Sequence, residues 1–544
     1  MDDDFPGPWE RLESIAQPPL TIRDLKLQAM SYHIRSKPSW WTKYKDETIR
    51  SKWKAEALET LVSGEKLLEP EVDYILNELA GYEKMRDEAT GIQQSCFSRI
   101  YESDNLVPQD LLDRLKAAVK ILEDVPEDQK DWHPRSDGQV LDLVHPSLYP
   151  IVYGRTFRYP EATKPEDRKI ADFQPTVAPT PRTTPGQDWS FSQKFAWLST
   201  DFKIAKDGST ATAVSYINTL HPSNAELYSV IEALVARFSF LFDRVLTDLI
   251  CYDESSNRRI VEGYSYIDGD IPGLLPDETD QDYLIRMEKW KWERPMSVPT
   301  VPESGYTSDI SRRSKPYTIQ GQEVQVIVKL ANIHLTPEKP VYRGGSWHVE
   351  GMANERILAS GIYYYDSENI SESELQFRTV VSPADLSYEH DNNIGVQRVW
   401  GLKRSGPANQ IVGATPTPAG RCLAFPNIYQ HKVAPFSLED DTKPGHRKIL
   451  ALFLLDPEHP RFSTTDIPPQ QAEWYELAMQ RAPETSLFRR LPAEIMREIT
   501  RNLPYLMSLD EAKKYRLKLM DERTAFVGTH DERFFASEFN FCEH

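Results

Sequence analysis

The sequence predicts an α+β protein in which a β-barrel or jelly-roll core lies between two helical regions. Three observations support this class. Apolar residues recur at three- and four-residue steps between charged residues in the first 150 residues. After Ser311, short β-rich runs follow one another without long helices between them. After Pro468 the helical pattern returns.

These patterns divide the chain into four regions. The predicted regions are a helical N-terminal region at 1–174, a Pro-rich linker or surface strap at 175–186, a β core with helical insertions at 187–468, and a helical C-terminal region at 469–544. The strap contains Pro175, Pro179, Pro181 and Pro185. Proline lacks an amide donor and fixes φ, which excludes a helix or a central strand there.

Individual elements follow from local periodicity. Apolar residues at helical spacing predict helices at 21–37, 69–85, 106–122, 224–249 and 277–293. Asn105 is a candidate N-cap for the third helix, because its side chain can accept from free amides of the first turn. Runs rich in β-branched and aromatic residues predict strands at 324–330, 361–365, 375–381 and 448–455.

Composition limits the class of protein. The chain has 544 residues and a net charge of −19, which disfavours general binding to nucleic acid. Its four cysteines are far apart and form no C-x-x-C pair, so a disulfide framework or a zinc ribbon is not expected. The sequence contains neither a long apolar run nor a secretory signal, and we expect an intracellular protein, cytoplasmic or nuclear.

The motif with the most chemical content is the His-x-Glu pair in Trp347-His348-Val349-Glu350. On a strand, side chains two positions apart point to the same face, so His348 and Glu350 can converge on one ion. Two histidines and one carboxylate form the facial triad of non-haem Fe(II) sites, which leaves three coordination positions open. The alternative is a surface strand or a histidine in a salt bridge.

Three histidines are candidates for the third ligand. His390 lies in a polar stretch that is typical of a loop, and His446 follows a Pro-Gly turn. His431 follows an apolar strand and a turn, and it opens another short run. The sequence favours His431.

Arg447 begins an apolar run in which Ile449, Ala451 and Phe453 share its face. A charged group on such a face is costly unless it is paired. A guanidinium matches a carboxylate with two hydrogen bonds, so a dicarboxylic cosubstrate such as 2-oxoglutarate is a suitable partner. A salt bridge to Asp440 or Asp441, or exposure at the strand end, is the alternative.

On the predicted strand before the motif, Val326, Val328 and Leu330 form an apolar face. Two polar residues continue this face towards the end of the strand. These residues, Asn332 and His334, are candidates for hydrogen bonds to the cosubstrate at the mouth of the barrel. The alternative is that they face water at the end of the strand.

The chain resembles two families. His348, Glu350, His431 and Arg447 resemble the facial triad and the cosubstrate arginine of the 2-oxoglutarate/Fe(II)-dependent oxygenase superfamily, over about residues 320–457, with glutamate where aspartate is commoner. The chain as a whole is similar to a mostly fungal family of uncharacterised proteins. The segments that carry this second resemblance are GGSWHVEG at 344–351, YYYDSEN at 363–369, PGHRK at 444–448 and FNFCEH at 539–544.

The superfamily resemblance implies a double-stranded β-helix, of the jelly-roll or cupin-like kind, as the core of the protein. It also implies Fe(II) held by His348, Glu350 and His431, 2-oxoglutarate as cosubstrate held by Arg447, and hydroxylation or demethylation of a small-molecule or protein substrate. A cupin-type metalloenzyme without 2-oxoglutarate would leave Arg447 facing solvent. A barrel that serves only for binding would have its pocket closed by aromatic side chains.

Overall fold

Helices surround antiparallel sheets in the computed structural model, which describes residues 5–9, 12–62, 65–161, 163, 167–179, 188–251, 258–260, 264–267, 271–313, 315–382, 386 and 393–538. The α+β prediction is thus confirmed as a mixed helix-and-sheet architecture. No helix in these ranges is both long enough and apolar enough to cross a membrane.

The helices of the described chain include all five predicted segments, displaced by a few residues at their ends. Their bounds are α1 Leu12–Ile15, α2 Ile22–Arg35, α3 Trp40–Lys43, α4 Glu47–Glu59, α5 Glu69–Met85, α6 Gln109–Glu123, α7 Ala225–Cys251, α8 Asp280–Glu293, α9 Asn393–Trp400, α10 Ala472–Gln480, α11 Ala493–Arg501 and α12 Leu509–His530. Asn105 is not the N-cap of α6. Pro108 holds that position with extended backbone, because its missing amide donor leaves nothing unsatisfied at a helix start.

The strands range from two to thirteen residues. They are β1 Leu61–Val62, β2 Glu65–Lys66, β3 Gln93–Gln94, β4 Tyr101–Ser103, β5 Val140–Val144, β6 Ile151–Val152, β7 Phe157–Arg158, β8 Gln174–Pro175, β9 Phe195–Ala196, β10 Thr200–Ile204, β11 Ala211–Ala213, β12 Ser265–Tyr266, β13 Met296–Ser297, β14 Glu323–Leu335, β15 Val341–Tyr342, β16 Ile357–Glu368, β17 Glu374–Val380, β18 Asn409–Pro416, β19 Cys422–Pro426, β20 Gln430–Val433, β21 Phe436–Ser437 and β22 Gly445–Leu455.

A nine-stranded antiparallel sheet organises the core. Its strand order is β11-β10-β14-β22-β16-β19-β4-β3, and β5 pairs with β14 beside this path. A second sheet has the order β18-β17-β20. The main sheet therefore takes β3, β4 and β5 from the region predicted as helical, and it joins sequence-distant segments.

The helix α7 covers one face of the main sheet. At Gly361 in β16 an added Cβ would lie 2.6 Å from the Phe238 ring and 2.9 Å from the Phe242 ring, so the missing side chain allows the helix to approach the strand closely. The opposite face of the main sheet points away from α7. Arg447, Ile449 and Ala451 lie on that face, since residues opposite one another in an antiparallel pair share a side.

The predicted Pro-rich strap is only partly described. Residues 180–187 lie outside the described residues, as do His390 and the terminal segment 539–544. Before that gap, Gln174 and Pro175 form β8, which pairs with β7.

Candidate metal centre

His348 and His431 lie opposite each other in an isolated antiparallel bridge. The His348 amide donates to the His431 carbonyl at 3.2 Å, and the His431 amide donates to the His348 carbonyl at 3.0 Å. His431 belongs to β20. The predicted strand at His348 is instead an extended segment with this single bridge, which joins it to the second sheet.

Glu350 lies between the two imidazoles. Its Oε1 is 3.5 Å from His348 Nε2 and 3.6 Å from His431 Nε2. Two ligands at right angles around an ion at bond lengths near 2.1 Å would lie about 3 Å apart. The three donors are close to that arrangement, and all the ligand atoms lie within 4.8 Å of one another.

The hydrogen bonds of the imidazoles are compatible with metal binding. His348 Nδ1 lies 2.8 Å from the Ser346 carbonyl, which accepts its proton and leaves Nε2 with a free lone pair. His431 is 4 % exposed, and its Nδ1 is buried without a hydrogen-bond partner in the described part of the chain. Both Nε2 atoms can therefore coordinate an ion on the side of Glu350.

The charge states also favour a cation. Burial alone would raise the pKa of the Glu350 carboxyl, but His348 and His431 hold that pKa well below its usual range. Burial and the charge of His348 lower the pKa of His431 to about 4. At neutral pH the cluster thus contains an ionised carboxylate and a neutral His431.

Asn427 fixes the backbone of Glu350. Its side-chain oxygen accepts from the Glu350 amide at 2.8 Å, and its side-chain nitrogen donates to the Glu350 carbonyl at 2.8 Å. The same nitrogen donates to the Ile357 carbonyl at 2.9 Å. In the sequence, Asn427 is only part of the turn before His431, and an asparagine in a turn gives no sign of which backbone groups its side chain will bind.

Arg447 is 2 % exposed on β22. Its Nη2 donates to Thr417 Oγ1 at 2.7 Å, and its guanidinium lies 4.6 Å from the centre of the Tyr364 ring. Its Nε is buried without a hydrogen-bond partner, and no carboxylate among the described residues forms an ion pair with it. The predicted alternatives, solvent exposure or a bridge to Asp440 or Asp441, do not describe this residue.

Asn332 and His334 lie on the other face of β14. Residues of β14 and β22 pair in register, with Ile333 opposite Arg447 and Asn332 opposite Lys448, so Arg447 and Asn332 point to opposite sides. The Asn332 amide nitrogen donates to Glu123 Oε1 of α6 at 2.7 Å. The predicted hydrogen bonds of Asn332 and His334 to a cosubstrate beside Arg447 therefore have no support from this geometry.

The other candidates for the third ligand do not join the cluster. His446 Nε2 lies 3.0 Å from Asp366 Oδ2. His390 lies outside the described residues.

A second group of possible ligands comprises His133, Asp142 and His145. His133 Nδ1 lies 2.7 Å from Asp142 Oδ2, and Asp142 Oδ1 is buried without a hydrogen-bond partner among the described residues. This group is less suited to a cation. The Ser147 amide donates to His145 Nδ1 at 3.1 Å, which leaves the proton of the neutral ring on Nε2, and Arg516 Nη1 lies 3.8 Å from Asp142 Oδ2.

Three solved structures are distantly similar to the chain. An Fe(II)/(alpha)ketoglutarate-dependent dioxygenase, TqaL, aligns with a TM-score of 0.26 and 9% identity, over 67% of this chain and 79% of its own. A bsmA homolog from Methylobium petroleophilum PM1 gives 0.25 and 11%, over 64% and 82%. IDO from Bacillus thuringiensis gives 0.16 and 11%, over 25% and 46%. Scores this low carry no argument about fold or activity.

Comparison with family models identifies the family of the chain. No curated protein matches the chain. A family model described as "Protein of unknown function (DUF4246)" matches residues 69–478, and a second, "Domain of unknown function DUF4246, N-terminal", matches residues 1–56. The first match covers most of the chain, including the whole candidate metal centre. The chain belongs to the DUF4246 family.

Proposed function

We propose that the protein is an Fe(II)- and 2-oxoglutarate-dependent oxygenase that hydroxylates or demethylates its substrate. One observation carries the proposal. Nε2 of His348 and Nε2 of His431 lie 3.5 and 3.6 Å from the same carboxylate oxygen of Glu350. Two imidazoles and one carboxylate on one side of an ion leave the other side for a chelating cosubstrate and dioxygen.

The strand order supports a double-stranded β-helix as the core. From β14 onward the chain passes repeatedly between the two sheets: β14, β16, β19 and β22 belong to the main sheet, β17, β18 and β20 belong to the second, and β15 and β21 pair with each other. The segment that carries His348 joins the second sheet through its bridge to β20. Such alternation between two antiparallel sheets is typical of a jelly roll.

Arg447 would bind the far carboxylate of 2-oxoglutarate. It is buried and lacks a carboxylate partner in the described part of the chain, so an anionic ligand would satisfy an otherwise costly charge. When bound, Fe(II) and 2-oxoglutarate supply the activation of dioxygen coupled to oxidative decarboxylation of the cosubstrate. The residues of the chain would hold both groups, and Asn427 keeps the backbone of Glu350 in place.

We infer a small molecule or a protein side chain as the substrate. The net charge of −19 disfavours a nucleic acid, because an acidic protein repels phosphate backbones.

An anaerobic titration with Fe(II) and 2-oxoglutarate tests the proposal. The wild-type protein should develop the visible charge-transfer band of the chelate, and His348→Ala should lose it. Arg447→Met should retain metal binding but weaken 2-oxoglutarate binding about 10- to 100-fold, which corresponds to the loss of hydrogen bonds between charged groups. Arg501→Met, on the exposed side of α11, is the matched control and should behave like wild type.

Two results would contradict the oxygenase. The first is a wild-type protein that develops no band. The second is a band of unchanged strength in His348→Ala. If Arg447→Met keeps the band and binds 2-oxoglutarate as tightly as wild type does, Arg447 does not bind the cosubstrate. The proposed metal ligands would be unaffected by that result.

A further inference from the structure

The helix α8 presents large apolar side chains to solvent. It lies between β12 and β13, which pair with each other and close this excursion of the chain at its base. None of the fourteen residues of α8 is buried. Leu284 and Ile285 are each 61% exposed, and Trp292 is 41% exposed. Large apolar side chains grouped on one exposed helix are typical of a contact surface.

These three residues share one side of α8, which we call the apolar side. Successive residues of a helix are rotated by about 100°, so Leu284, Ile285 and Trp292 fall within an arc of about 100°. Met287 and Trp290 lie on the opposite side and are partly buried. The helix therefore turns that opposite side to the rest of the molecule and leaves the apolar side uncovered by the described residues.

Charged residues border the apolar side in a repeated order. Asp280 and Lys291 are eleven residues apart, which is about three turns, so they lie along one edge. Asp282 and Lys289 are seven residues apart, which is about two turns, so they lie along the other edge. All four side chains are exposed. Each edge thus has a carboxylate near the start of the helix and an ammonium near its end.

An antiparallel second copy of α8 would match this order. When a two-fold axis relates two facing helices, each edge meets the same edge of the other copy in the reverse direction. The two pairs of charged residues have the same midpoint along the helix. One axis at that midpoint therefore places Asp280 opposite Lys291 of the second copy, and Asp282 opposite Lys289 of the second copy. Ion pairs would then border the contact on both edges.

Glu288 also lies on the apolar side. In the same register it would lie near Gln281 of the second copy, whose side-chain amide can donate to the carboxylate.

Other occupants of the apolar side fit less well. A surface of uniform charge would meet repulsion at one end of α8, because the two ends of each edge differ in sign. The net charge of −19 also opposes approach to an anionic membrane.

We propose that two copies of the protein associate through the apolar sides of α8, with the two helices antiparallel. The inference uses no residue of the candidate metal centre and does not depend on the proposed function. Fourteen residues span about 21 Å, so one helix pair buries less than a standard interface. We expect a reversible dimer with a Kd on the order of 10 µM.

An exchange of charges tests the register. The first variant combines Asp280→Lys with Asp282→Lys, and the second combines Lys289→Asp with Lys291→Asp. Each variant alone should dimerise at least about tenfold more weakly than wild type, because every facing pair becomes like-charged. An equimolar mixture of the two should form a heterodimer at least as tightly as wild type dimerises. Sedimentation velocity of the full-length protein measures all three, with one variant labelled in the mixture.

Two more variants separate the apolar contact from net charge. Leu284→Ser with Ile285→Ser should weaken the dimer about tenfold or more, and circular dichroism should show an unchanged fold because both side chains are exposed. Lys52→Asp with Lys66→Asp is the matched control. It changes the net charge as much as the second charge variant does, at side chains that are 75% and 54% exposed on other elements. It should dimerise like wild type.

Three results would overturn the inference. The first is a wild-type protein that stays monomeric at about 100 µM, about tenfold above the expected Kd. If that monomer binds vesicles of phosphatidylcholine and phosphatidylserine, the apolar side belongs to a membrane instead. The second is a dimer that survives the charge variants and the serine variant unchanged, which would place the interface elsewhere. The third is a mixture of the two charge variants that remains monomeric although each variant is folded.

Discussion

Two pKa shifts at the candidate metal centre affect its affinity for a cation in opposite directions. Burial opposes the charge of Glu350, but the two imidazoles beside it keep its pKa low. For His348, burial lowers the pKa, while Glu350 and the Ser346 carbonyl raise it, and the net shift is upward. A proton on His348 therefore competes with a metal ion for Nε2, so metal binding should weaken in acid.

His530 provides a separate pH-dependent contribution to stability. Burial lowers its pKa to about 4, against the opposing effect of the Pro8 carbonyl. The unfolded chain, with a histidine pKa near 6.5, binds this proton first as the pH falls. The free energy of unfolding should therefore be unaffected above about pH 6.5 and fall between about pH 6.5 and 4, by at most about 3 kcal/mol from this residue.

His530→Gln isolates this effect. Glutamine keeps an N–H donor for the Pro8 carbonyl, which His530 Nε2 contacts at 2.9 Å, but it does not titrate. Urea unfolding of both proteins between pH 7.5 and 4.5 should show a smaller loss of stability for the variant in acid. Equal losses would mean that His530 is not buried in its neutral form.

The sequence indicated which residues form the candidate metal centre more readily than which face of a strand each residue occupies. His348, Glu350 and His431 stood out by their residue types and by the two-residue step between His348 and Glu350, and the structure places the three side chains together. For Asn332 and His334, alternation showed that they share a face with Val328, but not which partner covers that face. The register of β14 against β22, and of β14 against β5, depends on contacts between segments far apart in the chain.

At the scale of elements, the segment before His348 depends on a glycine. Gly344 has φ +85°, and an added Cβ would lie 2.7 Å from the Val433 carbonyl oxygen in β20. Gly344→Ala should therefore lower the free energy of unfolding by about 1–3 kcal/mol and weaken metal binding, because the displaced segment carries two of the three proposed ligands. Chemical denaturation and a Mn(II) titration measure the two effects.

Gly345, next to Gly344, provides a control substitution. A Cβ on Gly345 would lie 3.6 Å from the Val433 amide nitrogen, which is an ordinary contact. Gly345→Ala should therefore leave metal affinity near that of wild type. If both alanine variants bind metal equally well, the close approach at Gly344 does not position the ligands.

Long elements were predicted more completely than short ones, although α4, with thirteen residues, was not predicted and β16 was predicted only over 361–365. The helix α7 and the strands β14, β16 and β22 extend over eleven or more residues, which gives periodicity enough room to appear. The strands β3 and β4 have two and three residues, too few for a pattern. The His348 segment was expected to be a strand, but among the described residues it forms an isolated bridge to His431 and no longer ladder.

At the scale of the molecule, the predicted regions are joined by contacts that cross their boundaries. Arg516 of α12 pairs with Asp131 at 2.6 Å, and Arg155 donates to the Leu506 carbonyl at 2.6 Å. Arg523 of α12 forms an ion pair with Glu355. One apolar cluster extends from Phe5 to Phe535. The ends of the chain thus pack with its core.

We expect the protein to unfold in one transition. The N-terminal region and the core share the main sheet. If either unfolded, the strands of the other would lose their partners and be exposed to solvent, so we expect both to unfold together. In urea, tryptophan fluorescence and far-ultraviolet circular dichroism should give the same midpoint. Two separated midpoints, with the N-terminal region unfolding first, would show instead that the four predicted regions are independent.

The placement of β4 and β5 has a consequence for shortened forms of the protein. A chain that begins after the Pro-rich strap would lack the partner of β19 at Cys422–Ala424 and the partner of β14 at Leu330–Ile333. The backbone donors and acceptors of those strands would then face solvent as unprotected sheet edges. Such edges are templates for pairing with other chains, so an isolated core should aggregate even though every proposed metal ligand is present.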